Sequence, residues 1–212
     1  MPIIWKPCIA IAVVLALGGC TTVSPTQNVA GRPTVELNPT TRGPVAGVGF
    51  EGQDLVAMSD QMVRDMLANP RLVNAANPPQ VIVDGEYIGN SSAQRIDRNL
   101  IADRIRVELN RASQGRMTFV SRQSAEMVAR ERELKRQGLV DVGALGLAQA
   151  QAGGDFRLRG EIGSLESRDP RTGLTQRLTQ LTFEMIDLER GTIVWSNLYT
   201  ISRAAADDII YR

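Results

Sequence analysis

Histidine is absent from the 212-residue sequence. Its absence removes the commonest general base near neutral pH, the Ser-His and Cys-His nucleophile pairs, and the commonest ligand of transition metals. Cysteine occurs only twice, as Cys8 and Cys20, both within the first 20 residues. We therefore expect the rest of the chain to fold without a disulfide bond or a thiolate metal site.

An excess of charge of one sign is also missing, because 24 Lys and Arg residues oppose 23 Asp and Glu residues. A broad electrostatic attraction for nucleic acid or anionic lipid needs a basic excess. We therefore expect no nucleic-acid partner. Apolar residues make up 43% of the chain, which suits one globular domain with a core of its own and an attached tether.

The apolar run at the amino terminus is short. It extends from Cys8 to Leu17 after the positive charge of Lys6, whereas a membrane-spanning helix needs roughly 20 apolar residues. This is the pattern of a secretory signal peptide. Its last residues, Leu17-Gly18-Gly19-Cys20, resemble a bacterial lipobox, in which the peptide is cut before a lipidated cysteine. We predict a signal peptide at 1–19 and a lipidated Cys20; the alternative is an ordinary cleaved signal with a chance cysteine.

A lipidated Cys20 would anchor the mature protein, since two or more acyl chains hold a protein stably on a membrane. Thr21 follows it, and by resemblance to known lipoproteins a residue other than Asp there implies the outer membrane, facing the periplasm. Residues 20–49 are dominated by Pro, Gly, Thr and Asn, which is a flexible-linker composition. The alternative is an ordered loop on the domain. We assign the globular domain to 50–212.

Helical periodicity begins in this domain at Asp54 and ends at Asn69, before Pro70. Three methionines lie on its apolar face, and the regular spacing favours a core role over an adaptable binding groove. A second helix begins at the N-cap Asp97 and ends at Gly115. Two more are predicted, a solvated helix over Gln123–Gln137 and an Ala-rich helix from Asp141 to Ala152.

Strand patterns alternate with these helices and then follow them. Gln80–Asp84 and Met117–Val120 are short β-branched or apolar runs, the first leading into a turn-rich loop over Gly85–Ser92. From Asp155 onward apolar residues recur at every second position, which predicts β-strands.

Three strands follow from this change of period. The second, Leu174–Leu188, changes phase between Leu178 and Leu181, which predicts a bulge. A tight turn over Asp187–Thr192 leads into a last strand from Ile193 to about Ser202. This order predicts an α+β fold with a mixed β-sheet, flanking helices and a final antiparallel meander.

No site signature accompanies this fold. The Gly-rich stretch Gly43–Gly49 lacks both the strand–helix context of a dinucleotide fingerprint and the lysine of a phosphate-binding loop. The carboxylates are scattered: Asp97 is predicted as a cap, Asp103 as a surface charge, and Glu161 and Glu184 as outward strand residues. We therefore expect a non-enzyme without cofactor, metal site or small-molecule substrate, although a histidine-free carboxylate enzyme stays an alternative.

A further observation concerns several short stretches between about residues 80 and 202. They are Val81-Ile82-Val83, Asn90-Ser91-Ser92, the helix start Ile96-Asp97, Ile101–Arg106, Phe119–Arg122, Asp155–Ile162 and Asp187–Ser196. Together they resemble the LpoB family of outer-membrane lipoproteins. The family resemblance implies a fold like that of the amino-terminal domain of TolB. It also implies an activator that reaches from the outer membrane and binds a small non-catalytic domain of a class A penicillin-binding protein, thereby regulating peptidoglycan synthesis.

We expect the contact surface to lie around the loop over 85–95. Tyr87 and Arg95 are candidate contact residues because aromatic and arginine side chains dominate interface energetics, and Asn90 of the same loop is a third candidate. Ordinary loop packing is the alternative for each of them.

A second function remains open. A structural subunit of a lipoprotein secretion complex, of the curli-export type, resembles the same domain but adds long amphipathic hairpins for the membrane. No pair of alternating segments of roughly ten residues is left over here to build them. The activator hypothesis is therefore preferred.

Overall fold

The computed structural model describes residues 34–44, 47–73 and 76–206. The chain divides into two compact units, Met1–Glu36 and Leu37–Arg212, and only residues 34–36 of the first are described. The predicted signal peptide 1–19, Cys20, most of the predicted linker 20–49 and the end of the domain, 207–212, lie outside the described residues.

The second unit contains a six-stranded sheet with helices between its strands. Its described elements are α1 Gly52–Ala68, β1 Gln80–Ile82, β2 Ile88–Asn90, α2 Arg98–Ser113, β3 Thr118–Phe119, α3 Ala125–Arg136, β4 Phe156–Arg168, β5 Thr175–Asp187 and β6 Ile193–Ala205. The strand order is β3-β1-β4-β5-β6, and β2 also pairs with β4. The first three strands form parallel pairs and the last three an antiparallel meander. The predicted α+β fold with a mixed sheet is confirmed.

Helix α1 begins with a capping box, in which Glu51 and Asp54 bond reciprocally to each other's backbone. Its methionines Met58, Met62 and Met66 are fully buried, so they belong to the core as predicted. Helix α2 begins where Asp97 accepts hydrogen bonds from Asn99 N (2.9 Å) and Leu100 N (3.4 Å), which confirms the predicted cap.

One hydrophobic core joins α1 and α2 to one face of the sheet. Because side chains alternate along a strand, the same face of β4 and β5 supplies every second residue to it. Its fully buried side chains include Met58, Met62, Ile101, Ile105, Leu109, Leu158, Ile162, Leu181 and Phe183. The opposite face carries polar residues, among them Arg159, which pairs with Glu184 at 2.9 Å.

The predicted Ala-rich helix over Asp141–Ala152 is wrong. The segment has no regular secondary structure and every residue from 141 to 152 is exposed. Gly143 and Gly146 adopt positive φ angles of 73° and 68°, which interrupt a right-handed helix. High intrinsic helix propensity does not by itself stabilise a short helix that buries no apolar face.

The predicted bulge between Leu178 and Leu181 is also wrong, because β5 pairs there without interruption with both neighbouring strands. The change of apolar phase has another cause: Leu178 lies opposite Leu165 on the polar face of the sheet. The register shift lies instead between Met185 and Ile186, opposite Val194.

The predicted turn-rich loop over Gly85–Ser92 contains a strand that the sequence analysis did not identify. Residues Ile88 to Asn90 form β2, which pairs in parallel with Gly160–Ile162 of β4. Three residues with a central glycine give too short a pattern to read as a strand. The partner strand lies about 70 residues further along the chain, so only the tertiary fold brings the two together.

Candidate partner-binding surface

The loop between β1 and α2 carries all three predicted contact residues. Tyr87 immediately precedes β2 and is 51% exposed. Asn90 is half-buried at the end of β2, and Arg95 is exposed two residues before the helix cap Asp97. The structure therefore places these side chains on one short connection.

Tyr87 rests on a cation. The guanidinium carbon of Arg157 lies 4.1 Å from the centroid of the Tyr87 ring, within the range of a cation–π interaction. Arg157 projects from the start of β4 and is itself largely buried. The exposed aromatic ring is therefore held by a side chain that is fixed in the sheet.

Arg157 is in turn held by two carboxylates. One terminal nitrogen bonds both oxygens of the buried Asp84, at 2.9 and 3.1 Å, and also bonds the exposed Glu86. Burial opposes the charged form of Arg157, but the bonds to Asp84 and Glu86 outweigh it and raise the pKa of the guanidinium. Arg157 is thus a permanent cation beneath Tyr87.

Asn90 organises the second half of the loop through its side chain. Its Oδ1 accepts hydrogen bonds from the backbone nitrogen and the hydroxyl of Ser92, at 3.1 and 2.7 Å. Its Nδ2 donates to the backbone oxygen of Gln94 at 3.0 Å. The side chain is therefore engaged within the loop, as in the loop-packing alternative.

Strand β4 and helix α2 hold the loop in place through hydrogen bonds. Ser91 N and Oγ donate to Ile162 O at 2.8 and 3.1 Å, and Ala93 N donates to the hydroxyl of Ser164 at 3.0 Å. From α2, the guanidinium of Arg98 donates to Ile88 O at 2.9 Å, which satisfies a carbonyl of β2. The loop is therefore fixed at both its sheet side and its helix side.

Arg95 borders a small cleft at the amino-terminal end of α1. The cleft has a volume of about 190 Å³ and is mostly apolar. Its lining includes Phe50, Leu55, Gln94, Ile96, Leu100 and Ile101. A cleft of this size suits one side chain of a protein partner rather than a drug-sized ligand, since ligand pockets typically span 300–1,000 Å³.

Two residues of this surface were missed by sequence reasoning. Arg157 reads in the sequence only as one polar residue of an alternating strand, and Gln94 as part of a polar loop. Their partners, Tyr87 and Phe50, are 70 and 44 positions away. No local pattern signals contacts over such separations.

Within the described residues no group of three or more acidic or cysteine side chains is placed to hold a metal ion. The same part of the chain includes no helix that is both long and apolar enough to cross a membrane. The described surface instead presents a loop that is hydrogen-bonded to the sheet and carries the exposed ring of Tyr87.

These features define a small α+β domain with an exposed loop, held by hydrogen bonds, between β1 and α2. Residues 54–201, well over half of the chain, match the family model of the peptidoglycan-synthase activator LpoB. The chain belongs to the LpoB family, as its sequence stretches indicated. A family of synthase activators agrees with the prediction of a regulatory protein rather than an enzyme.

Solved structures similar to this chain include two LpoB C-terminal domains. The domain from Escherichia coli shares 19% identity over 71% of this chain and 98% of its own, with a TM-score of 0.40. The domain from Salmonella enterica shares 16% over 69% and 94%, with a TM-score of 0.35. Lipoprotein GNA1162 from Neisseria meningitidis shares 15% over 62% and 88%, with a TM-score of 0.32. No curated protein matches the chain.

Proposed function

We propose that this protein is an outer-membrane lipoprotein that binds and activates a class A penicillin-binding protein and so regulates peptidoglycan synthesis. Membership in a family of peptidoglycan-synthase activators supports the class of partner. The observation that carries the contact surface is the exposed Tyr87 ring held on the largely buried Arg157.

The anchor and the tether complete this proposal. Lipidated Cys20 would hold the protein on the outer membrane, and residues 20–49 would let the domain reach toward the synthase in the periplasm. At roughly 3 Å per extended residue, a linker of this length spans several tens of Å. Cys20→Ser is expected to release the protein from the membrane fraction, which fractionation of cell envelopes would measure.

Tyr87 fits the role of an interface anchor for a physical reason. Association is weakened by the entropy lost when a mobile side chain becomes ordered, and an aromatic ring that is already fixed avoids most of that loss. Tyrosine is also one of the residue types enriched among those that dominate binding energy. Asn90 would act by shaping the loop, and Arg95 by contacting the partner at its rim.

The test is binding and stimulation of a class A synthase by the wild-type protein and by Tyr87→Ala. Truncation of an anchor residue costs about 1.4 kcal/mol or more, so the dissociation constant is expected to rise about tenfold. Tyr87→Phe, which keeps the ring over Arg157, is expected to bind nearly as the wild type does. Leu165→Ala, at a 72% exposed position of β4, serves as the control.

Two results would count against the proposal. One is a folded wild-type protein that neither binds nor stimulates any class A synthase of its source organism. The other is equal affinity of Tyr87→Ala and the wild type, which would remove the loop as the contact surface. A ring-shaped oligomer in detergent would favour the secretion-complex alternative.

A further inference from the structure

The segment that precedes α1 is fastened to the domain at several points. Gly47 N donates to Glu51 Oε1 at 2.8 Å, and the guanidinium of Arg203 donates to Gly49 O at 2.7 Å. Val48 is 1% exposed and Phe50 9%. The described residues are therefore already buried at Gly47, within the region predicted as the end of the linker.

Gln94 connects this segment to the loop over residues 85–95, called the contact loop below. Its Oε1 accepts the Phe50 N–H at 2.7 Å, and its Nε2 donates to Phe50 O at 2.8 Å. One side-chain amide thus satisfies both backbone groups of a buried residue, as a neighbouring strand would. Without it, two buried polar groups would be left unpaired.

The backbone of Gln94 continues this connection into the loop. Gln94 O accepts a hydrogen bond from Asn90 Nδ2 at 3.0 Å. Asn90 Oδ1 in turn accepts the hydroxyl proton of Ser92 at 2.7 Å, and Asn90 ends β2. A continuous set of hydrogen bonds therefore joins Phe50, at the exit of the proposed tether, to the strand that follows Tyr87.

We infer that Gln94 is a positioning residue, which sets the geometry of the contact loop by clamping Phe50. This inference rests on the proposed function, because it assigns a regulator to the same loop. The affinity for the partner protein then depends on whether the segment Gly47–Glu51, where the tether meets the domain, is packed against the domain. When this segment detaches from the domain, the Gln94 side chain loses its hydrogen bonds to both backbone groups of Phe50. The contact loop then loses one of the contacts that hold it in place.

The test uses the full chain in detergent with Gln94→Ala and Gln94→Glu. The glutamate variant keeps the acceptor for Phe50 N–H but has no donor for Phe50 O. Gln61→Ala, at an exposed position of α1, is the matched control. Amide hydrogen exchange of residues 92–96 is measured beside that of α2, and affinity for the class A synthase is measured on the same samples.

For Gln94→Ala we expect exchange of the loop amides to be about tenfold faster, with α2 unchanged, and the dissociation constant to rise about tenfold. Gln94→Glu is expected to give a smaller change in the same direction, and Gln61→Ala none. Unchanged loop exchange in Gln94→Ala would overturn the inference. So would faster loop exchange with unchanged affinity, or faster exchange throughout α2 in both Gln94 variants.

The two proposals fail in different ways. If the wild type binds no synthase, the proposed function is lost, but loop exchange still reports whether Gln94 clamps the segment. If the wild type binds and Gln94→Ala binds equally well, the function stands and the positioning role is refuted.

Discussion

Replacing Arg157 by methionine removes the cation that links the sheet to the contact loop. Methionine has similar length and fills much of the same space, so the change tests charge and hydrogen bonding more than volume. Asp84 would lose the guanidinium that now binds both its oxygens, at 2.9 and 3.1 Å. The Tyr87 ring would lose its cation at 4.1 Å.

The magnitude follows from burial. The side chains of Arg157 and Asp84 are 17% and 6% exposed, so Asp84 would become a buried charge without its main partner. Breaking such a pair from one side costs about 3–5 kcal/mol. Since the pair keeps some contact with water, we expect about 3 kcal/mol. In a domain of this size that corresponds to a melting temperature lower by roughly 6–12 °C.

Thermal and urea unfolding, followed by circular dichroism, measure the effect. The double variant Asp84→Asn with Arg157→Met leaves no unpaired charge at Asp84, and it should lose only about 1–2 kcal/mol. Arg159→Met is the control: the Arg159 side chain is 59% exposed and pairs with Glu184, so the change should alter stability by less than about 1 kcal/mol. If the single and double variants were equally destabilised, the argument from an uncompensated buried charge would be refuted.

Two further substitutions test the packing of the core at Gly160 and the ionisation of Glu108 in α2. A Cβ atom at Gly160 would lie 2.8 Å from two ring carbons of the buried Phe183, so Gly160→Ala should lower the free energy of unfolding by about 1–3 kcal/mol. Gly163→Ala, with open space around its Cβ, should not lower it. Equal melting temperatures of the two variants would contradict this. Burial, aided by the neighbouring Asp60, outweighs the ion pair with Arg104 at 2.7 Å and raises the pKa of Glu108 above its usual 4.5. The folded chain therefore takes up this proton before the unfolded chain does, and stability is gained as pH falls through the raised pKa. Glu108→Gln should accordingly be more stable than the wild type in urea at pH 7, with an advantage that shrinks toward pH 4; a less stable variant at pH 7 would contradict the sign.

Elements with a strong local pattern were predictable. The methionine stripe of α1, the Asp97 cap of α2 and the turn at Gly191, whose φ is 66°, each follow from residues a few positions apart. The lipobox resemblance at Cys20 depends on neighbouring residues in the same way, and lipidation there stays a prediction. Local patterns failed where tertiary context decides the outcome, as in the exposed Ala-rich segment after α3 and the three-residue strand β2.

The LpoB-like stretches, the helices and the meander were determined by the sequence itself, because periodicity, capping and turn chemistry act between residues close together in the chain. The candidate surface was decided only by the tertiary structure. The sequence supplied Tyr87, Asn90 and Arg95 as candidates on one loop, but not what holds that loop in place. Arg157 lies beneath Tyr87 because β4 passes beside β2, and Gln94 reaches Phe50 because α1 begins next to the loop. These contacts join residues 44 to 70 positions apart, so they exist only once the sheet and the helices have packed into one core.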